Sequence, residues 1–175
     1  EVTKIFLSDP GTGNIKLTKD EAGVWIVNDS FRARQDWVAY LLEGMGEQNE
    51  VQMVPKSAHN NAIKQLASNS VKVEVYKGDK RTHAFFVGKE PNNDNLAYFL
   101  NITKEDKNAP RPFLVQCGHS GTFLGVRYRT DLEYWRDKQI LYFPKKELKS
   151  IAVEYPDKSD ASFTVDLKPL RVGPN

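Results

Sequence analysis

Cysteine is almost absent from this chain: Cys117 is the only one among 175 residues. That excludes an intrachain disulfide and a cysteine-rich zinc site. It does not exclude an oxidising compartment, because many periplasmic domains avoid cysteine. Histidine is scarce as well. His59, His83 and His119 lie far apart in the sequence, and nothing in their spacing calls for a metal or a cofactor. No apolar run approaches the roughly 20 residues of a membrane span, and no signal-peptide pattern opens the chain. Nor does one sign of charge prevail. There are 25 basic and 23 acidic residues, interspersed, and the densest basic run, Lys145, Lys146 and Lys149, is broken by Glu147. A nucleic-acid binder carries a basic face or stripe, so nucleic acid is not among the expected partners.

What is present suffices for one core of ordinary size: 39% hydrophobic and 11% aromatic residues. The stretch from Val71 to Gly118 organises the rest. It reads VKVEVY, THAFFVG, LAYFLNI and PFLVQCG, short apolar-rich runs separated by polar or Pro/Asn-rich turns, which is the pattern of an antiparallel meander. Phe85 and Phe86 are adjacent in its second strand, so that strand is expected to be covered on both faces. A smaller meander precedes it: Lys4 to Ser8, Ile15 to Thr18 and Val24 to Asn28, joined at Asp9 to Asn14 and at Asp20 to Gly23. Pro and Gly let the first turn reverse. It is no phosphate loop, since neither a Lys-Ser/Thr pair nor a helix follows it.

Trp37, Val38, Leu41, Leu42 and Met45 fall at helical spacing, and this helix is expected to end at Gly44 and Gly46. After Pro55 a second short helix is expected, with Ser57 as N-cap, Ala58, Ala62, Ile63 and Leu66 on its apolar face and Asn69 as its stop. Thr130 to Glu133 has the spacing of a capping box, opening a third helix that carries Leu132, Trp135 and Gln139. Pro144 then opens a turn of helix at Lys145 to Leu148. The expected class is α+β, antiparallel meanders packed with two to three short helices. One domain would span 1–149, with its central meander at 71–118. Residues 150–175 would form a C-terminal hairpin, SIAVEYP and SFTVDL, whose layout echoes KIFLSDP and IKLTK at the start. That echo suggests the beginning of a second repeat. The chain opens at Glu1 without an initiator Met, which fits an excised domain or a mature form.

No catalytic constellation stands out. Cys117-Gly118-His119 invites a thiol-nucleophile reading, but adjacent strand residues face opposite sides, and a buried, inert cysteine is far commoner. Gly118-His119-Ser120-Gly121 lacks one residue of a nucleophile elbow. Asp131, Glu133 and Asp137 flank one helix and suit capping and dipole complementation. The distinctive cluster is Arg127-Tyr128-Arg129 with Tyr134-Trp135-Arg136. Arginine beside aromatic rings can bind an anionic or sugar-like ligand or a partner protein, or it can tie a helix to a sheet. Arg127, Arg129, Tyr134, Trp135 and Arg136 are therefore the candidate binding residues, with the polar loop from Thr103 to Pro112 nearby.

The order KIFLSD, IKLTKDEAGVWIVND, Phe31 to Asp36 before a helix, VKVEVY, AFFVG and Tyr134-Trp135-Arg136-Asp137 with IAVEYP behind it resembles the family of unknown function numbered 4340. That family is found in bacterial envelope proteins, often Bacteroidetes-type lipoproteins. The resemblance covers most of the chain and carries over no functional residue. It implies a periplasmic-side setting with a membrane tether outside this chain. Some relatives are encoded beside gliding-type ABC transporter components, so envelope or transporter proteins are the implied partners. The leading expectation is a non-catalytic binding or scaffolding module. The alternatives are an envelope hydrolase with acid/base groups drawn from distant loops, and a small-ligand carrier.

Overall fold

The computed structural model describes residues 1–90, 93, 95–118, 124–141 and 148–167. The chain divides into two compact units, Glu1–Lys138 and Gln139–Asn175, where the sequence suggested a break after 149. The class is α+β, with antiparallel sheets and short helices.

The first unit begins with alternation. In β1 (Lys4–Asp9) and β2 (Gly13–Lys19), Ile5, Leu7, Ile15 and Leu17 share one face and are fully buried. Gly13 supplies the positive φ of 117° that closes this hairpin. β3 (Trp25–Val27) and β4 (Phe31–Arg32) complete the meander. Between them Asn28 and Asp29 both sit at positive φ, 50° and 54°, and the Ser30 N–H donates to the Val27 carbonyl. Such a mirror-image turn suits Asn and Asp, whose short polar side chains tolerate the left-handed region. The four expected strands of the central meander are present as β6 (Ser70–Lys77), β7 (Lys80–Lys89), β8 (Ala97–Asn101) and β9 (Phe113–Cys117), although β6 begins earlier and β7 runs longer than the sequence suggested.

The two meanders join edge to edge through β1 and β6. A further strand, Gln48–Met53, pairs with β9 at the far edge; in chain order it is β5. The nine-stranded order is therefore β4-β3-β2-β1-β6-β7-β8-β9-β5. The 12-residue helix α1 (Gln35–Gly46) must carry the chain from one edge to the other. Eight strand spacings cover about 38 Å when flat. The helix gives about 18 Å, and the few extended residues beside it add roughly 15 Å. The path must also drop about 10 Å to the helix layer. The sheet therefore curls around α1. Accordingly one core cluster takes residues from β1, β2, β3, β6, β7, β8 and β9, with Val38 and Leu41 of α1 at its centre.

The opposite face of β7–β9 is covered by α2 (His59–Ser68), whose Ala62 and Leu66 pack with Tyr98, Leu100 and Leu114. Phe85 belongs to the inner cluster and Phe86 packs on the outer one, so β7 is covered on both faces as expected. Asn69 ends α2, its N–H donating to the Gln65 carbonyl.

Several local expectations are corrected. Helix α1 ends at Gly46, as expected, but Gly44 is no stop: it lies inside the helix, buried against another side chain. Ser57 lies within a 3-10 turn, Lys56–Ala58, and Ala58 takes the N-cap position of α2 without a side-chain bond. The third helix, α3, is a single turn, Leu132–Trp135, and stops before Gln139 because Arg136 is already extended. Its N-cap is Asp131, which accepts the Tyr134 N–H at 2.9 Å, while Thr130 bonds Thr12 instead. The turn of helix expected at Lys145 to Leu148 lies largely outside the described residues.

In the second unit, β10 (Ser150–Val153) and β11 (Phe163–Asp166) pair antiparallel, with a 3-10 turn at Ser159–Ala161 between them.

Candidate binding surface

A curled sheet leaves two edges apart, and residues 124–137 strap them together. At one end the Arg127 guanidinium reaches the Cys117 sulfur of β9, and the Gln48 amide of β5 donates to the Tyr128 hydroxyl. At the other end Arg136 bridges Ala33, the Arg34 N–H donates to the Trp135 carbonyl at 2.8 Å, and the Asp137 N–H donates to the Arg32 carbonyl at 2.9 Å. Between them the Trp135 indole N–H donates to the Arg129 carbonyl at 2.7 Å. Trp135 and Tyr128 are both 1% exposed. Burial pushes the Tyr128 hydroxyl well above the ordinary tyrosine range, although the Gln48 amide works against it.

Arg127 is also buried. Its guanidinium lies 4.0 Å over the Tyr40 ring, and its Nε has no hydrogen-bond partner among the described residues. Burial alone would lower its pKa, but Tyr40 and the Cys117 sulfur outweigh that and hold it above the usual arginine range. Gly44 makes this position possible. A Cβ there would lie 2.6 Å from Arg127 Cδ and 3.0 Å from Cζ, with Nη1 closer still.

The exposed side of the strap meets α1. Trp37, Tyr40, Val126, Arg129, Tyr134 and Asp36 line an open hollow of about 550 Å³. Trp37 stands 5.6 Å from Tyr40, nearly edge-on, and 4.9 Å from Tyr134. Arg34 lies 4.8 Å over the Trp37 ring, and Arg129 lies 4.8 Å over Tyr134. Each arginine carries its own carboxylate, Arg34 to Asp36 and Arg129 to Asp131, both at 2.9 Å. Partial desolvation works against ionised Asp36, yet Arg34 and the Trp37 N–H hold its carboxyl below the usual range. Burial raises the Tyr134 hydroxyl, which donates to the Val126 carbonyl at 3.0 Å. The arrangement offers flat aromatic faces and charge-neutral hydrogen-bonding pairs.

The five residues singled out in the sequence therefore share one strap and separate by exposure. Arg129 and Tyr134 line the hollow. Arg136 lies at its own edge, 4.9 Å over the exposed Phe31 ring and 3.6 Å from Glu133. Arg127 and Trp135 face inward. The loop from Thr103 to Pro112 makes its described contacts elsewhere, through Asp106 to Arg81 and through Ala109 on the outer core cluster. The sequence placed Trp37 only on an apolar helical stripe, and Arg34, Asp36 and Tyr40 were not among the candidate binding residues. The available signal was an arginine and two aromatics at three-residue spacing, which places all three along one helix face.

Other candidates resolve into structural contacts. Cys117 is buried against the Gly44 carbonyl and Arg127, and His119 lies outside the described residues. Glu133 pairs with Arg136, and Asp137 with Arg32 at 3.5 Å. Among the described residues no three His, Cys, Asp or Glu side chains are placed to hold a metal ion, and no helix is long and apolar enough to cross a membrane. Compared with protein-family models, curated proteins and solved structures, the chain matches none.

Proposed function

We propose that this chain is a non-catalytic binding module on the extracytoplasmic side of a bacterial envelope, accessory to a membrane complex such as an ABC transporter. Its contact surface is the hollow between α1 and the strap. One observation carries the reading. Three aromatic side chains and Arg129 line an open concavity, Arg34 stacks on its Trp37 ring, and both arginines are already paired with carboxylates, an arrangement suited to recognition. The resemblance in motif order supports the envelope setting.

The test is a photo-crosslinking residue placed at Val126, an exposed position on the hollow's rim, with the protein in its native membranes. A discrete protein adduct should form from Val126. It should be missing from a control site at the exposed turn residue Glu21, and Tyr134→Ala should abolish it. The same adducts from both sites, or none from Val126, would remove the assignment.

A second reading, small-ligand carriage, is favoured by a separate hollow of about 390 Å³ beside α2. Ile63, Leu66, Phe86 and Leu100 form its apolar lining, with Ser70 and Asn108 among its polar groups. Ser8, Ser68 and Lys72 also line it, and an apolar wall with polar groups that can orient a ligand is the usual make-up of a small-molecule site. Saturable uptake of an apolar fluorophore by a protein that gives no Val126 adduct would favour it.

A further inference from the structure

The second unit presents an apolar sheet face that its own strands do not cover. Ile151, Phe163 and Val165 are 44%, 51% and 43% exposed, and Val153 is half-buried. A two-stranded ribbon with one open apolar face is marginal by itself. What belongs on that face can be read from the first unit, because the two hairpins share one plan. In β1–β2, Ile5 pairs with Leu17 and Leu7 with Ile15. In β10–β11, Ile151 pairs with Val165 and Val153 with Phe163. Lys4 and its partner Thr18 fall on Ser150 and its partner Asp166, offsets of 146 and 148, so the second connecting loop is two residues longer. With the same offsets Pro10 falls on Pro156. The bond beyond the open end of the ladder also repeats: the Lys19 N–H donates to the Thr3 carbonyl, and the Leu167 N–H to the Lys149 carbonyl, both at 2.8 Å.

In the first hairpin the four apolar residues are closed off by the core around α1. In the second, Ile151, Phe163 and Val165 are exposed and Val153 is half-buried. Stacking two such hairpins from separate molecules would bury only a few hundred Å², well short of the roughly 1,200–2,000 Å² of a stable complex. A small face of this kind is closed effectively by a tethered partner, whose local concentration is high.

We propose that β10–β11 is the opening hairpin of a second copy of this fold. Its apolar face is the seat of an α1-type helix carried on the same polypeptide, one that presents an apolar stripe like that of Val38, Leu41 and Met45. In the first copy α1 begins at Gln35, sixteen residues after Lys19, and its counterpart belongs at a similar distance after Leu167.

The equivalence is tested inside the full chain by replacing residues 4–18 with a copy of residues 150–166. A control keeps residues 4–18 and gains two residues in the Pro10–Thr12 loop. The transplanted hairpin should be accepted by α1, giving one cooperative urea transition followed by tryptophan fluorescence, at no less than half the control's midpoint. Adding Phe163→Asp and Val165→Asp to the transplanted copy should abolish that transition. A control that folds beside a chimera that does not would overturn the proposal, as would indifference to the two aspartates. In the unmodified chain, amides of β10–β11 should exchange with deuterium at least about a thousandfold faster than those of β1–β2. Equal protection would show the face already covered within this chain and would overturn the choice of occupant.

Discussion

Replacing Gly44 with alanine sets helix propensity directly against packing. Gly44 lies inside α1 without a positive φ, so on propensity alone Gly44→Ala should stabilise the helix by about 1 kcal/mol. The geometry predicts the opposite. The new methyl would sit 2.6 Å from Arg127 Cδ, and that side chain is held between the Tyr40 ring and the Cys117 sulfur. Overpacking of this kind costs about 1–3 kcal/mol, and a displaced guanidinium loses a desolvated ring contact of up to about 2 kcal/mol. After the propensity gain is subtracted, the expected net loss lies within about 0–4 kcal/mol and centres on about 2 kcal/mol. Urea unfolding at a slope of about 1–3 kcal/mol per molar should show the midpoint falling by roughly 1 M. Gly46→Ala is the control, since nothing lies within 4 Å of the new Cβ; it should be neutral or stabilise by up to about 1 kcal/mol. In an Arg127→Ala background Gly44→Ala should cease to destabilise, a coupling of about 2 kcal/mol in a double-mutant cycle. A Gly44→Ala protein as stable as the parent, or strictly additive double mutants, would refute the account of how the strap closes.

Two further perturbations probe the same unit. Trp135→Phe removes the indole donor to the Arg129 carbonyl and part of a fully buried ring, so stability should fall by about 1–3 kcal/mol; an unchanged unfolding midpoint would show that this bond does not hold the strap. Partial desolvation of Glu74 opposes its ionised form, but Lys72 and the Tyr76 hydroxyl, each 2.8 Å away, pull its pKa below the ordinary value of 4.5. A carboxyl lowered on folding contributes stability that is fully present above its unfolded pKa and is lost as pH falls through its folded one. The stability gap between the parent and Glu74→Gln should accordingly be constant near pH 7 and shrink below about pH 4.5; a gap that does not change with pH would sink this assignment.

The meanders were legible because they rest on local alternation. Ile5 and Leu7, or Val73 and Val75, announce a strand with one buried face. β5 was not legible. Gln48 to Met53 carries no apolar alternation, and its residues are almost all exposed. What makes it a strand is its pairing with β9, some 60 residues away, and a single sequence does not display such a partner. Gly44 was misread for a related reason. Glycine near the end of an apolar stripe looks like a stop signal, and only the arrival of Arg127 from far along the chain reveals it as a clearance. The capping box failed for want of length: Thr130 to Glu133 has the right spacing, but with only one turn to cap, Asp131 takes the N-cap and Thr130 ties the strap to the β1–β2 turn. The candidate cluster was half legible. Its strap side is contiguous in sequence, whereas Trp37 and Tyr40 join it only through the fold.

That division decides how the binding reading can be tried on this chain. The strap presents two sets of side chains. Arg127, Tyr128 and Trp135 turn inward and join the sheet edges, so removing any of them disturbs the seat of α1 and with it Trp37 and Tyr40. Lost binding in such a variant would say nothing about contact. Arg129 and Tyr134 turn outward. The Arg129 guanidinium is about half-exposed and pairs with a carboxylate exposed to a similar degree, a kind of pair worth at most about 1 kcal/mol to stability. Tyr134 gives up one hydroxyl bond and its ring contacts at the rim. Substitutions at these two positions therefore alter the hollow while leaving the closure in place, and a change in partner recognition at either one reports on the surface itself.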